Sequence, residues 1–138
     1  DAYVIIARSA INTGDNLKAK SAYAQVENIA TGALAAEALY YNAYFSNKEN
    51  GFEASNRTVQ KLVKDYSSYK YYAAKGLVVM AKNYYALDDA YQATYILESV
   101  IENFNDFDDV VQEAQIELDT IKSELAKTNS SVEINDGN

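Results

Sequence analysis

The chain has 138 residues and a net charge of −8, from 12 Lys and Arg against 20 Asp and Glu, a balance that argues against nucleic acid or an anionic membrane as partner. It contains neither Cys nor His, which removes disulfides, thiolate metal sites, thiol nucleophiles and the commonest general base; no catalytic residue, metal ligand or cofactor is predicted, and the chain is not read as an enzyme. No apolar run approaches the ~18 residues that a membrane span requires.

Pro is absent, Gly occurs five times, and Ala, Leu, Lys, Glu and Gln are abundant, so the composition favours helix over strand. Apolar residues recur at helical spacing, as in Leu77, Met80, Ala81 and Tyr84. Seven helices are predicted, at residues 1–12, 15–28, 32–46, 52–65, 69–86, 89–104 and 107–127. The breaks fall at Thr13-Gly14-Asp15, Thr31-Gly32, Asn47 to Gly51, Ser67-Ser68, Leu87-Asp88-Asp89 and Asn105-Asp106. Each offers an Asx, Ser, Thr or Gly residue that caps a helix or turns the chain. The connections are short, so neighbouring helices are expected to be antiparallel.

One register recurs along the first six helices. Ala7, Ala43 and Ala81 are separated by 36 residues (7 to 43) and 38 residues (43 to 81). The same two offsets align Tyr3/Leu39/Leu77, Ala19/Ser55/Ala93, Tyr23/Val59/Leu97 and Val26/Leu62/Val100. Small residues at 7, 43 and 81, facing those at 19, 55 and 93, let two helices approach closely, while the larger columns fill the space between successive pairs. The repeats are placed at about 1–30, 31–68 and 69–106. Residues 107–127 leave the register. Their stripe of Val110, Ala114, Leu118, Ile121 and Leu125 faces inward and Gln112, Glu113, Gln115, Glu117 and Asp119 face out, as a terminal capping helix requires. The polar stretch 128–138 is expected to be a disordered tail.

These residues resemble the tetratricopeptide repeat family, over roughly residues 1–104. The match reads Ala7, Gly14-Asp15, Ala19 and Tyr23 in the first repeat, Ala43, Asn50-Gly51, Ser55 and Val59 in the second, and Ala81, Asp88-Asp89, Ala93 and Leu97 in the third. Leu62 to Ser68 looks like the end of the longer bacterial repeats, echoed at Val100 to Phe104, although the family's Pro is missing. The resemblance implies a right-handed α-solenoid of about three antiparallel helix pairs with a C-terminal capping helix. It also implies an interaction scaffold of the bacterial periplasm or envelope, with the cytoplasm as the alternative compartment, in which a concave groove lined by the first helix of each pair holds a partner.

Carried onto this register, the resemblance nominates Arg8, Glu37, Tyr40, Tyr44, Asn47, Lys75, Lys82 and Tyr85 as partner-binding residues, with Val4, Ile11, Asn12, Lys48, Val78 and Ala86 beside them. Groove Tyr residues offer an apolar face and a hydrogen-bonding tip, and Arg8, Lys48, Lys75 and Lys82 place positive charge in an acidic molecule, which favours an acidic protein or peptide segment. Val4 and Ile11 stand where the family's carboxylate clamp has polar residues, so capture of a free chaperone-type C-terminus is not expected. On this reading Tyr40→Ala with Tyr44→Ala weakens binding and spares the fold. Two other readings use the same aromatic face: a structural homo-oligomerisation domain, and, more remotely, a helical carbohydrate-binding domain. Asn103, Asn105, Asp106, Asp108 and Asp109 lack the central Gly and bidentate Glu of a calcium loop and are read as helix caps.

Overall fold

The computed structural model describes residues 1–136. Among them are seven α-helices and no strand: α1 (Ala2–Thr13), α2 (Asn16–Ile29), α3 (Gly32–Lys48), α4 (Phe52–Asp65), α5 (Lys70–Ala86), α6 (Ala90–Asn103) and α7 (Asp108–Asp136). The chain is all-α, and none of these helices is long and apolar enough to cross a membrane. The first six helices fall where the apolar spacing puts them.

The last one differs. α7 runs on through residues 128–136, part of the stretch that composition assigned to a tail, while residues 137 and 138 lie outside the described residues. Ile121 is fully buried, and Lys122 to Ser130 are exposed. Extending a helix that is already nucleated adds one hydrogen bond per residue fixed, so α7 continues past Ile121 on its own backbone bonds.

The repeat register is written in the backbone as well as in the side chains. The turns α1–α2, α3–α4 and α5–α6 each contain one residue with positive φ: Gly14 (78°), Asn50 (64°) and Asp88 (66°), which follow the 36- and 38-residue offsets. Gly, Asn and Asp are the residues that enter the left-handed region at least cost. In each turn the next amide reaches back to a carbonyl in the last turn of the helix: Asp15 to Ala10 at 2.9 Å, Gly51 to Ser46 at 2.8 Å and Asp89 to Tyr84 at 2.8 Å. This satisfies carbonyls that the helix end leaves free. The Asp15 and Asp89 carboxylates then cap α2 and α6 by accepting from the amides of Lys18 and Gln92, both at 3.1 Å.

Packing follows the same columns. Ala7, Ala43, Ala81, Ala19, Ser55 and Ala93 are wholly excluded from solvent, as are Val59, Leu97, Val26, Leu62 and Val100. Ser55 is tolerated in a slot otherwise held by Ala because its hydroxyl donates to the Ala43 carbonyl at 2.7 Å; a hydroxyl buried without a partner would cost ~1–3 kcal/mol. Gly76 marks another close approach. A Cβ there would sit 2.8 Å from Cδ2 of Leu62, so α4 and α5 touch closely at that point. The Tyr3/Leu39/Leu77 column is less uniform, with Tyr3 exposed and Leu39 buried.

Each helix packs on its neighbours in the chain, and α3 also packs on α5, and α5 on α7. Along α3 and α5 the contacts run in the same sense, from Tyr40 with Tyr72 to Asn47 with Asn83. The same holds along α5 and α7, from Tyr71 with Asp109 through Lys82 with Glu113 to Tyr85 with Glu124. α2 and α3 meet in the opposite sense, Tyr23 with Tyr41 and Lys20 with Glu49. The odd-numbered helices α3, α5 and α7 therefore lie side by side and parallel, and this places most of the nominated side chains on one face.

Candidate functional site

The nominated residues come together on α1, α3 and α5, and most of them have a partner on a neighbouring odd-numbered helix. Arg8 of α1 reaches Glu37 of α3 through Nε at 3.0 Å and Nη2 at 2.7 Å. Glu37 is buried, and its carboxylate also accepts from the hydroxyls of Tyr23 at 2.7 Å and Tyr72 at 3.4 Å. Tyr41 stacks flat on Tyr23 with ring centroids 4.5 Å apart. With Ile11 and Asn12 these residues line an open pocket of about 210 Å³.

The electrostatics of this cluster are closed. Burial alone would raise the Glu37 carboxyl, but hydrogen bonds from Arg8 and Tyr23 and the Arg8 charge outweigh it and hold it below the usual carboxylate range. Burial, then the bond to Glu37, pushes Tyr23 far up. Burial and the nearby Glu37 charge push Tyr72 up to about 12, and the bond to Glu37 raises Arg8. None of these four groups exchanges a proton near neutrality, which is the opposite of what general acid–base work requires. The cluster can hold a polar group against an aromatic wall.

Tyr40 forms a second station. It is only 6% exposed, edge-on to Tyr41 at 4.9 Å and close to Tyr44 and Tyr72. The Lys75 ammonium lies 4.7 Å from the centre of the Tyr40 ring and 5.5 Å from that of Tyr71, a cation–π arrangement worth ~0.5–1 kcal/mol where solvent reaches it. Tyr71 donates to Asp109 of α7 at 2.6 Å, which pushes the phenol up to about 12 and holds the Asp109 carboxyl low. Lys48 sits 5.3 Å from the Tyr44 ring.

Further along, Asn47 donates to Asn83 at 2.8 Å, and the buried Asn83 donates to Ser55 at 2.8 Å and to Asn56 at 2.9 Å. Lys82 pairs with Glu113 at 3.1 Å, and the Tyr85 hydroxyl donates to Glu124. Among the described residues no buried side-chain nitrogen or oxygen lacks a hydrogen-bond partner.

Several expectations change under this geometry. Glu37 and Tyr40 are buried in the layer beneath the face, and Val4 and Val78, placed beside the groove, belong to the core. Tyr40→Ala therefore opens a cavity, with a cost of order 3–5 kcal/mol, and the fold is not spared. The charges of Arg8 and Lys82 are matched within the molecule by Glu37 and Glu113. Glu113, expected to face outward, turns toward α5. Tyr44, Asn47, Lys75, Lys82 and Tyr85 remain half-buried, and Arg8, Asn12 and Lys48 are exposed. The cluster residues missed at the sequence level are Tyr23, Tyr41, Tyr71, Tyr72 and Asp109. Tyr23 carried a signal: it stands in a column otherwise filled by Val59 and Leu97, and a phenol in an aliphatic slot needs a polar partner. No known family model matches the chain, and no curated protein is detectably similar to it.

Proposed function

We propose that this chain is a non-enzymatic interaction module of tetratricopeptide type: a right-handed solenoid of three antiparallel helix pairs, closed by α7, that holds an extended segment of a partner protein across the face formed by α1, α3 and α5. Support for the repeat reading comes from the recurrence of the left-handed residue at 14, 50 and 88 together with the small-residue columns, two kinds of observation with one pair of offsets. The observation that carries the binding reading is the accessible layer of that face. Half-exposed Tyr44 stands beside Lys48, and Lys75 lies over the neighbouring Tyr40 ring; both ammonium groups reach aromatic rings and no carboxylate among the described residues.

Beneath this layer the polar groups are already satisfied, so the surface is held in shape before a partner arrives and little ordering cost falls on the binding step. The partner's chemistry follows from what is left over: an acidic segment with an aromatic or aliphatic side chain to lie against Tyr44. The test is selection from a random peptide library with the wild-type chain and with a Tyr44→Ala/Lys75→Ala chain of unchanged helicity. The expected result is enrichment of acidic peptides whose affinity falls about tenfold or more in the variant and weakens with added salt. Selection of basic peptides, or equal affinity for both chains, would refute the reading.

A further inference from the structure

Where α1 meets α3 the side chains depart from the repeat register. In the column Tyr23/Val59/Leu97 the first repeat has a phenol where the others have aliphatic side chains, and 38 residues beyond Glu37 and Tyr41 stand Lys75 and Val79. Val59 and Val79 are plain core residues, so the packing of helix pairs asks for no carboxylate and no pair of phenols here. The chain nevertheless buries Glu37 and surrounds it with Arg8, Tyr23 and Tyr72. Polar groups set where the rest of the fold uses aliphatic ones are the mark of a functional site.

One bond of this cluster is left loose. Glu37 accepts from Arg8 at 3.0 and 2.7 Å and from Tyr23 at 2.7 Å, but the Tyr72 hydroxyl stays 3.4 Å from Oε1, beyond the roughly 2.5–3.0 Å of a well-made O–H···O bond. The carboxylate has a lone pair to spare and Tyr72 a proton to give, and both line the same pocket, together with Arg8, Asn12 and Tyr41. The Arg8–Glu37 pair cancels its own charge. An anion entering the pocket therefore meets Glu37 and a cation meets Arg8, whereas a neutral group is opposed by neither. At about 210 Å³ the pocket is smaller than the ~300–1,000 Å³ that takes a drug-sized molecule, and suits a single side chain.

We propose that this pocket receives a primary carboxamide, the side chain of a Gln in the bound segment. Its NH₂ group donates to Oε1 of Glu37, while its carbonyl oxygen accepts from the Tyr72 hydroxyl, which gives up its long bond to Glu37, and from the Asn12 amide. A carboxamide suits the two facing groups because it carries donors and an acceptor in one plane. A Ser or Thr hydroxyl has one proton on a short stem, and a Glu side chain in the segment would set a second carboxylate against Glu37. The source of the carboxamide rests on the peptide reading proposed above; the selectivity of the pocket does not, so the two can fail separately.

The experiment titrates isotope-labelled chain with three small probes, the N-acetyl methylamides of Gln, Glu and Met, which share a backbone and differ only at the side-chain end. The expected result is saturable amide shifts around Arg8, Asn12, Tyr41 and Tyr72 with the Gln probe, and affinity about tenfold or more weaker for the Glu and Met probes, since a site built on hydrogen bonds rejects analogues that cannot make them. Tyr72→Phe keeps the ring that packs beside Tyr40 and removes only the hydroxyl; it should bring the Gln probe down toward the Met probe. A role in packing alone would leave that ratio unchanged. Equal binding of the three probes, shifts centred elsewhere, no saturable shift up to the solubility of the Gln probe, or a Gln-to-Met ratio that survives Tyr72→Phe overturns the proposal. So does a free hexose that shifts the same amides more tightly than the Gln probe, which would assign the pocket to a glycan. Selection of acidic peptides without binding of the Gln probe refutes the pocket and spares the peptide reading; binding of the Gln probe with no peptide selected does the reverse.

Discussion

Two of the kinds of contact that hold this molecule together obey different rules. Between an odd-numbered helix and the even-numbered helix that follows it, the contact is made by the same small residues at the same register: Ala7 with Ala19, Ala43 with Ser55, Ala81 with Ala93, all without solvent exposure. Between one odd-numbered helix and the next, each contact is chemically different: a carboxylate cluster at Glu37, a cation over rings at Lys75, an amide chain at Asn83 and an ion pair at Lys82. The first kind depends on backbone spacing and therefore tolerates little variation. The second depends on side-chain reach, so many solutions serve, and this is the side on which the half-exposed Tyr44, Lys75 and Tyr85 lie.

That contrast can be broken or sharpened by substitution. The largest effect is expected at a small-residue contact: Ala81→Leu forces extra volume between α5 and α6 and costs about 3 kcal/mol, read as a lower urea midpoint with an unchanged slope. Glu37→Gln comes next, at about 2 kcal/mol, since it keeps the shape but gives up hydrogen bonds to an ion, which are worth ~1.5–3 kcal/mol. Its pH dependence has a definite sign. The Glu37 carboxyl is lowered in the folded chain, so its contribution is present above the unfolded value of about 4.3 and is lost as pH falls through the lower folded value. The stability gap between wild type and Glu37→Gln should be full at pH 7 and shrink below about pH 4; a gap that is constant or grows in acid would place the stabilisation elsewhere. Lys82→Ala should be the mildest, below about 1 kcal/mol, because both members of its ion pair are partly exposed and water already screens them. A Lys82→Ala loss exceeding that of Ala81→Leu would overturn the comparison.

The sequence was readable where physics acts through spacing. The columns at 7/43/81 and 19/55/93 predict close helix approach because only small residues permit it, and the turn residues at 14, 50 and 88 announce themselves by their tolerance of positive φ. The odd-helix face was only partly readable. Arg8 and Glu37 were both nominated, but as separate contributors of charge toward a partner; nothing in their spacing of 29 residues says that they meet. Tyr40 and Tyr44, four residues apart on α3, look alike in sequence, yet Tyr72 and Lys75 of α5 close over Tyr40 while Tyr44 stays half-exposed. Composition alone reads the polar stretch 128–138 as a tail, whereas the helix α7 runs on to Asp136.

Every sizeable contact joins helices that are neighbours, or next neighbours, along the chain. Such a molecule has little loop entropy to overcome before its contacts form, so folding is rapid and can start in any adjoining helices. The same locality means that, among the described residues, no long-range clasp ties α1 to α7. Opening proceeds inward from α1 and from the free portion of α7, and the amides of α4 and α5, which have neighbours on both sides, are the last to meet solvent.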